Sequence, residues 1–330
     1  MPDQKRHHFV PEFYLLRFAN ENERVLERPR SRKEFVTNID NVAAECGFYD
    51  VTQPDGTKSK EVEDRLTQVE GDTAEVLRWI DTTMEAPPSG SHERAALSEY
   101  LGLQMSRTRE LREQTQFPLK VEAFLDGRAL TFDLMAEFLE QIHLGFAPID
   151  GEVQGAFDYT AILLQDRKLL TAEWSMSVMF DTAEMAAPVL AERYWCIEHD
   201  RKERLVTSDT PLAIWRTPSS KDAYSGTGVV DADEIRFPLD PSKQLVMTKR
   251  GRSPSARINP ERSAACNQDM ALACHNFVIA HPSQQERVVQ LELPERRPVL
   301  RFNSGPLLQE QPGGSSIQGG QVMHAWVPRR

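Results

Sequence analysis

A chain of 330 residues, 40% hydrophobic and 27% charged, has the balance of a globular protein long enough to bury a sizeable core, which excludes a fibrous or disordered class. The formal charge of −11 argues against a broad nucleic-acid-coating surface, although short basic clusters stand at Arg201 to Arg204 and Thr248 to Arg257. No run approaches the roughly 20 apolar residues that cross a bilayer, the first residues lack a hydrophobic leader, and the four cysteines form no CxxC pair, so a soluble cytoplasmic protein with reduced cysteines is expected.

The first element is RHHFVPEFYLLRFAN. Pro11 suits the first position of a helix, and Phe13 and Leu16 supply a short apolar stripe ending near Asn20. His7 and His8 are thus expected just ahead of a helix N-terminus, where the dipole favours neutral imidazole. ERVLERP and ECGFYDV read as strands, and QPDGT as a turn. A long helix is predicted from about Ser59 to Met84, with Val62, Leu66, Val69, Thr73, Val76 and Ile80 on one stripe. Ser91 can cap the next helix, which turns Leu97, Tyr100, Leu101, Met105 and Leu111 inward. Helical patterns return at FDLMAEFLEQIHLG and from Ala156 to Leu190.

After Arg193 the texture changes. RYWCIEH, RLVTSD, LAIWR, EIRFPL, QLVMTK, RVVQLEL and VLRFN are short β-rich runs separated by Pro, Gly, Asp and Ser, and PERSAACNQDMALACHNFVIA interrupts them as a helix. The fold class expected is α+β: a single domain over 1–310, helix-rich in 1–192 and packed with a mostly antiparallel β-sheet from 193–310, followed by a flexible tail over 311–330.

No phosphate-binding loop, dinucleotide fingerprint, HExxH or GxSxG is present. What remains is a set of polar residues where apolar ones would be expected. Glu63 and Glu70 lie two turns apart beside the stripe of the long helix, as paired carboxylates or as a solvated flank. Gln104 falls on the inward face of the next helix, where an unpaired amide would cost about 1–3 kcal/mol, and Arg107 follows one turn on, able to grip an anion or to pair with Glu63 or Glu70. Ser208 and Asp209 end a strand before Thr210 and Pro211, as turn residues or as holders of a metal ion. Asn267 and His275 share one predicted helix, where packing is favoured.

The blocks HHFVPEFYLLRFAN, VEDRLTQVEGD, LGLQMSRTR, YWCIEHD with RLVTSDTPLAI, FPLDPSKQLVM and the helix of Asn267 occur in this order. Together they resemble an uncharacterised bacterial family, domain of unknown function 4238, from His7 to about Ala280. The resemblance implies one shared domain and marks His8, Glu63, Glu70, Gln104, Arg107, Ser208, Asp209 and Asn267 as its polar positions. The histidine that precedes the family's proline is matched better by His8 than by His7. No activity comes with the resemblance.

If these residues converge, they suit an intracellular hydrolase acting on a nucleotide or single-stranded nucleic acid. Asp209 with Glu70 (or Glu63) would hold Mg²⁺ or Mn²⁺, His8 would be the general acid or base, and Arg107 would clamp phosphate. Gln104, Ser208 and Asn267 would bind substrate. The alternative is a non-enzymatic ligand-sensing or partner-binding protein whose polar residues form a structural network.

Overall fold

The computed structural model describes residues 6–50, 60–142, 147–148, 151–165, 171–217, 228–251, 253–294, 296–310 and 316–328. In chain order the elements are β1 (Arg6–His8), α1 (Glu12–Leu15), β2 (Arg24–Pro29), β3 (Phe35–Asn38), β4 (Ala44–Cys46), α2 (Glu61–Thr83), α3 (His92–Ser106), α4 (Arg109–Leu125), α5 (Phe132–Ile142), α6 (Glu152–Leu163) and α7 (Ala172–Ala191). There follow β5 (Tyr194–His199), β6 (Thr207–Ser208), β7 (Ala213–Trp215), β8 (Glu234–Asp240), β9 (Lys243–Thr248), β10 (Ser255–Arg257), α8 (Pro260–Ala273), β11 (Phe277–Ala280), α9 (Gln285–Val289), β12 (Arg296–Glu310) and β13 (Ser316–Pro328).

The chain divides into two compact units: Met1–Thr108 with Met179–Leu293, and Arg109–Val178 with Pro294–Arg330. The first unit holds a five-stranded sheet in the order β10-β5-β9-β8-β7, antiparallel except for the β10–β5 pair, and an antiparallel sheet in the order β3-β2-β11-β6. Its aromatic core joins these layers. The Tyr14 ring stacks on Phe237 at 4.9 Å, Phe237 meets Tyr100 edge-on at 6.0 Å, and the Tyr14 hydroxyl donates to the Pro238 carbonyl at 2.7 Å. Full burial of one such ring contributes about 2–3 kcal/mol. In the second unit, α4, α5 and α6 share a core of Phe117, Val121, Met135, Phe138, Leu139 and Ala156, and β12 pairs with β13.

The α+β class holds, with mostly antiparallel sheets. Helix and strand are not divided between the two halves of the chain, however. β1 to β4 precede α2, β2 joins β11 from far along the chain, and α8 and α9 lie among the C-terminal strands. Pairing is decided by partners distant in sequence, which local propensity does not register. RVVQLEL was expected as a strand, yet α9 begins just before it: the His281 side chain accepts from the Ser283 N–H and Pro282 starts a helical turn, so capping outweighs the two valines. Residues 316–328, expected within a flexible tail, are strand-paired. The turn predicted at 53–57 lies outside the described residues, as do 311–315 and 329–330 of the tail.

Local rules explain the helices that carry the candidate residues. α2 buries the predicted stripe through Ile80, and Met84 ends it in the left-handed region at φ 59°. The Ser91 hydroxyl caps α3 by accepting from the Arg94 N–H at 3.1 Å. Gly102 on α3 lets α7 approach: a Cβ at that position would stand 2.5 Å from the Ala183 carbonyl oxygen.

Candidate functional site

The histidines lie in β1, which pairs antiparallel with β4 and stands just ahead of α1, as expected. Successive side chains of a strand point to opposite faces, so the two are separated. His7 turns inward and is 6% exposed. Its Nε2 lies 2.9 Å from Glu63 Oε1 on α2, and its Nδ1 accepts the Tyr49 backbone N–H at 3.1 Å. An N–H can only donate, so Nδ1 is the bare nitrogen and Nε2 donates to Glu63. Asp50 Oδ1 is 4.0 Å from the same Nε2. His8, the expected acid or base, faces the other way, with Nε2 3.2 Å from the Ile39 carbonyl and Nδ1 3.1 Å from Glu12.

Two turns along α2, Glu70 Oε1 accepts from Arg107 at 2.7 Å. Arg107 caps the C-terminal end of α3 and is only 2% exposed. Burial alone would lower its guanidinium; Tyr49, Glu70 and Tyr100 outweigh that and hold it above its ordinary value. The guanidinium also lies 5.6 Å from the Tyr100 ring centroid, and burial pushes the Tyr100 phenol well up. Gln104, on the same helix, is 1% exposed. The structure therefore gathers His7, Glu63, Glu70 and Arg107 around Tyr49, which gives its N–H to His7 and lies within electrostatic reach of Arg107. The carboxylates keep an opening to solvent: the Glu63 and Glu70 side chains are 31% and 29% exposed.

The other half of the expected site has a different role. Asp209 follows β6 and is fully buried, with Oδ1 accepting from the His275 N–H at 2.9 Å and Oδ2 from the Asn276 N–H at 2.6 Å. Burial raises its carboxyl to about 7 against the pull of those N–H groups and of Arg30. The Ser208 hydroxyl donates to the Thr210 carbonyl and accepts the Thr210 N–H. Asn267 on α8 accepts from the Val206 N–H at 3.1 Å and donates to the Arg204 carbonyl at 2.7 Å. These three residues brace the corner where β6, α8 and β11 meet. His275 falls after the end of α8, not on the same helix as Asn267.

Of the residues expected to act together, His8 meets Ile39 and Glu12, Arg107 meets Glu70, and both Asp209 oxygens accept backbone N–H groups. Of the pair expected to hold a metal ion, Asp209 has both oxygens accepting backbone N–H groups, and Glu70 has Oε1 accepting from Arg107. Among the described residues no group of three or more His, Cys, Asp or Glu side chains is arranged to hold a metal ion, and no helix is long and apolar enough to cross a membrane. The sequence reading missed Tyr49 and Asp50, which sit in ECGFYDV; its aromatic and apolar content reads as a strand, but pairing stops at Cys46.

Searches of curated proteins and of solved structures found no match. Residues 6–284 match the family model described as a protein of unknown function, DUF4238, a span that holds every residue of both groups above. The chain belongs to the DUF4238 family.

Proposed function

We propose that this chain is a hydrolase of phosphate-containing substrates whose reacting groups are the α2 carboxylates Glu63 and Glu70, in place of the set read from the sequence. One observation carries the reading. Each carboxylate has one oxygen held by a buried donor, His7 or Arg107, while about a third of its side chain stays open to solvent. A buried charge such as Arg107 costs stability unless it is well paired, as it is here with Glu70.

In this reading Glu63, oriented by His7, takes the proton from an attacking water as the new phosphorus–oxygen bond forms and the bond to the leaving oxygen breaks. Mg²⁺ or Mn²⁺ would supply charge neutralisation; such an ion needs only one or two protein carboxylates when the substrate brings phosphate oxygens. Asp50 Oδ1, 4.0 Å from the same His7 nitrogen as Glu63, is a second carboxylate beside it. Arg107 acts as a positioning residue, since its guanidinium is buried against Glu70.

The test is hydrolysis of bis(p-nitrophenyl) phosphate and of a labelled single-stranded oligonucleotide in Mg²⁺ or Mn²⁺. Turnover that falls at least ~100-fold in Glu63→Gln, with the fold intact, supports the reading. Absence of turnover on both substrates rejects it. The second reading, a non-enzymatic protein in which this network fixes the fold, is favoured by the engagement of both His7 nitrogens and the burial of Arg107. It expects Glu63→Gln and His7→Ala to lower stability and no turnover in the parent chain.

A further inference from the structure

A cavity of about 490 Å³ opens at one end of the five-stranded sheet, lined by Trp215, Thr217, Thr248, Lys249, Arg250 and Gly251 together with Asp233 and Glu234. Strand register explains its floor. Trp215 on β7 pairs with Glu234 on β8, Glu234 with Thr248 on β9, and Thr248 with Tyr194 on β5. Directly paired residues of antiparallel strands point to the same face, so Trp215 and Tyr194 stand on one face at opposite ends of a four-residue row. Three strand spacings separate them, about 14 Å. Tyr194 is 54% exposed, and its edge borders the turn at Gly251. Trp215 is half-buried, with the Arg236 guanidinium 5.7 Å from its ring centroid.

Charge around the row is sorted. Glu234 accepts from Arg236 and Arg262, and Asp233 accepts from the Thr217 N–H and hydroxyl, each at 2.9 Å, so both carboxylates of the cavity are engaged. Lys249 and Arg250 are exposed; Lys249 rests its ammonium on the Asp231 carbonyl, and the Thr248 hydroxyl pins the turn by donating to the Arg250 carbonyl. A chain of net charge −11 thus presents here two exposed cations beside two aromatic rings on a sheet face.

Base-sized rings on a sheet with cations at the rim are the chemistry that binds single strands without reading sequence: the bases stack and the phosphates meet Lys and Arg. We propose that this face binds single-stranded nucleic acid, one base stacking on Trp215, another on Tyr194, and the intervening backbone against Lys249 and Arg250. The inference does not depend on reaction at Glu63 and Glu70.

The test is fluorescence anisotropy of a labelled oligothymidylate on the full chain at two salt concentrations, with a thymidine mononucleotide as a second probe. Binding of the oligonucleotide is expected, weaker at high salt, and reduced by about 5-fold or more in Tyr194→Ala and in Trp215→Ala. The double change Lys249→Glu with Arg250→Glu, both at exposed positions, is expected to weaken binding and flatten its salt dependence by about two ions, with the fold checked by circular dichroism. No binding at low salt, or binding unchanged in Tyr194→Ala and in the double variant, overturns the proposal. So does a mononucleotide that binds as tightly as the oligonucleotide, which would make the face a site for one free nucleotide instead of a strand.

Discussion

His7 and Glu63 are joined across 56 residues of sequence by one 2.9 Å contact, and the Tyr49 backbone N–H on the opposite ring nitrogen decides which nitrogen carries the hydrogen. His8, the next residue, has a carboxylate and a carbonyl as its neighbours on the opposite face of the same strand. Replacement of the two should therefore differ. His7→Ala leaves a buried N–H of Tyr49 and one oxygen of Glu63 without their partner and should cost about 2–3 kcal/mol. His8→Ala loses a pair with the exposed Glu12 and a long contact, and should cost under about 1 kcal/mol. Urea unfolding of both variants measures this; equal losses would contradict the inward assignment of His7.

Arg107 and Glu70 form a pair with one partner sealed and the other near solvent. Arg107→Met should cost about 3 kcal/mol, since it removes a buried cation that Glu70 and two tyrosines stabilise. Glu70→Gln combined with it should be non-additive by at least about 1 kcal/mol, because the second change removes a contact already lost. A double-mutant cycle by chemical denaturation reads the coupling. Additive losses would mean that the 2.7 Å contact contributes little.

Asp209 makes stability depend on pH. Its carboxyl titrates near 7 when folded and near 4 when unfolded, about three units apart. Below about pH 4 both states hold the proton and the full contribution is present. As pH rises from about 4 to about 7 the unfolded chain releases the proton first, so this contribution, on the order of 4 kcal/mol, is lost. Asp209→Asn carries no such proton, so the difference in unfolding free energy between parent and variant should shift steadily in the variant's favour across that window. Parallel urea titrations from pH 4 to pH 8 test it; a constant difference would show that Asp209 does not titrate there.

Gly102 stands where α3 meets α7. Gly102→Ala would improve helix propensity by about 1 kcal/mol in an open helix. Here the methyl would meet backbone, the Ala183 carbonyl, which cannot rotate aside. The expected net result is destabilisation by about 1–3 kcal/mol, read as a lower thermal midpoint. A neutral or stabilising outcome would mean that α7 shifts without penalty. Gly71→Ala on α2, where no atom lies within 4 Å of the added methyl, should instead be neutral or stabilising.

Sequence pattern located what depends on neighbours. The apolar stripe of α2, the serine cap of α3 and the runs that became β5, β8 and β9 were all legible, because helix and strand periods are written within a few residues. The polar candidates were legible in part: Gln104 as an amide on an inward helix face, and Glu63, Glu70 and Arg107 as charges beside the apolar faces of α2 and α3. The division of roles was not. Choosing His7 over His8 required knowing that the pair sits in a strand bonded to β4, since strand alternation sends one of them inward. Assigning Asp209 to a brace required the β6–β11 pairing that delivers the N–H groups of His275 and Asn276.

By itself, then, the order of amino acids determined the class of the protein, the helices with strong stripes and caps, and the short roster of polar groups that need company. Tertiary structure decided which of those groups meet, which stay open to water and which rows of the sheet put Trp215 and Tyr194 on one face. The reason is physical: period and capping act over one or two turns of chain, whereas strand register and the closure of a charge pair join residues dozens to hundreds of positions apart, and only the folded chain selects among those pairings.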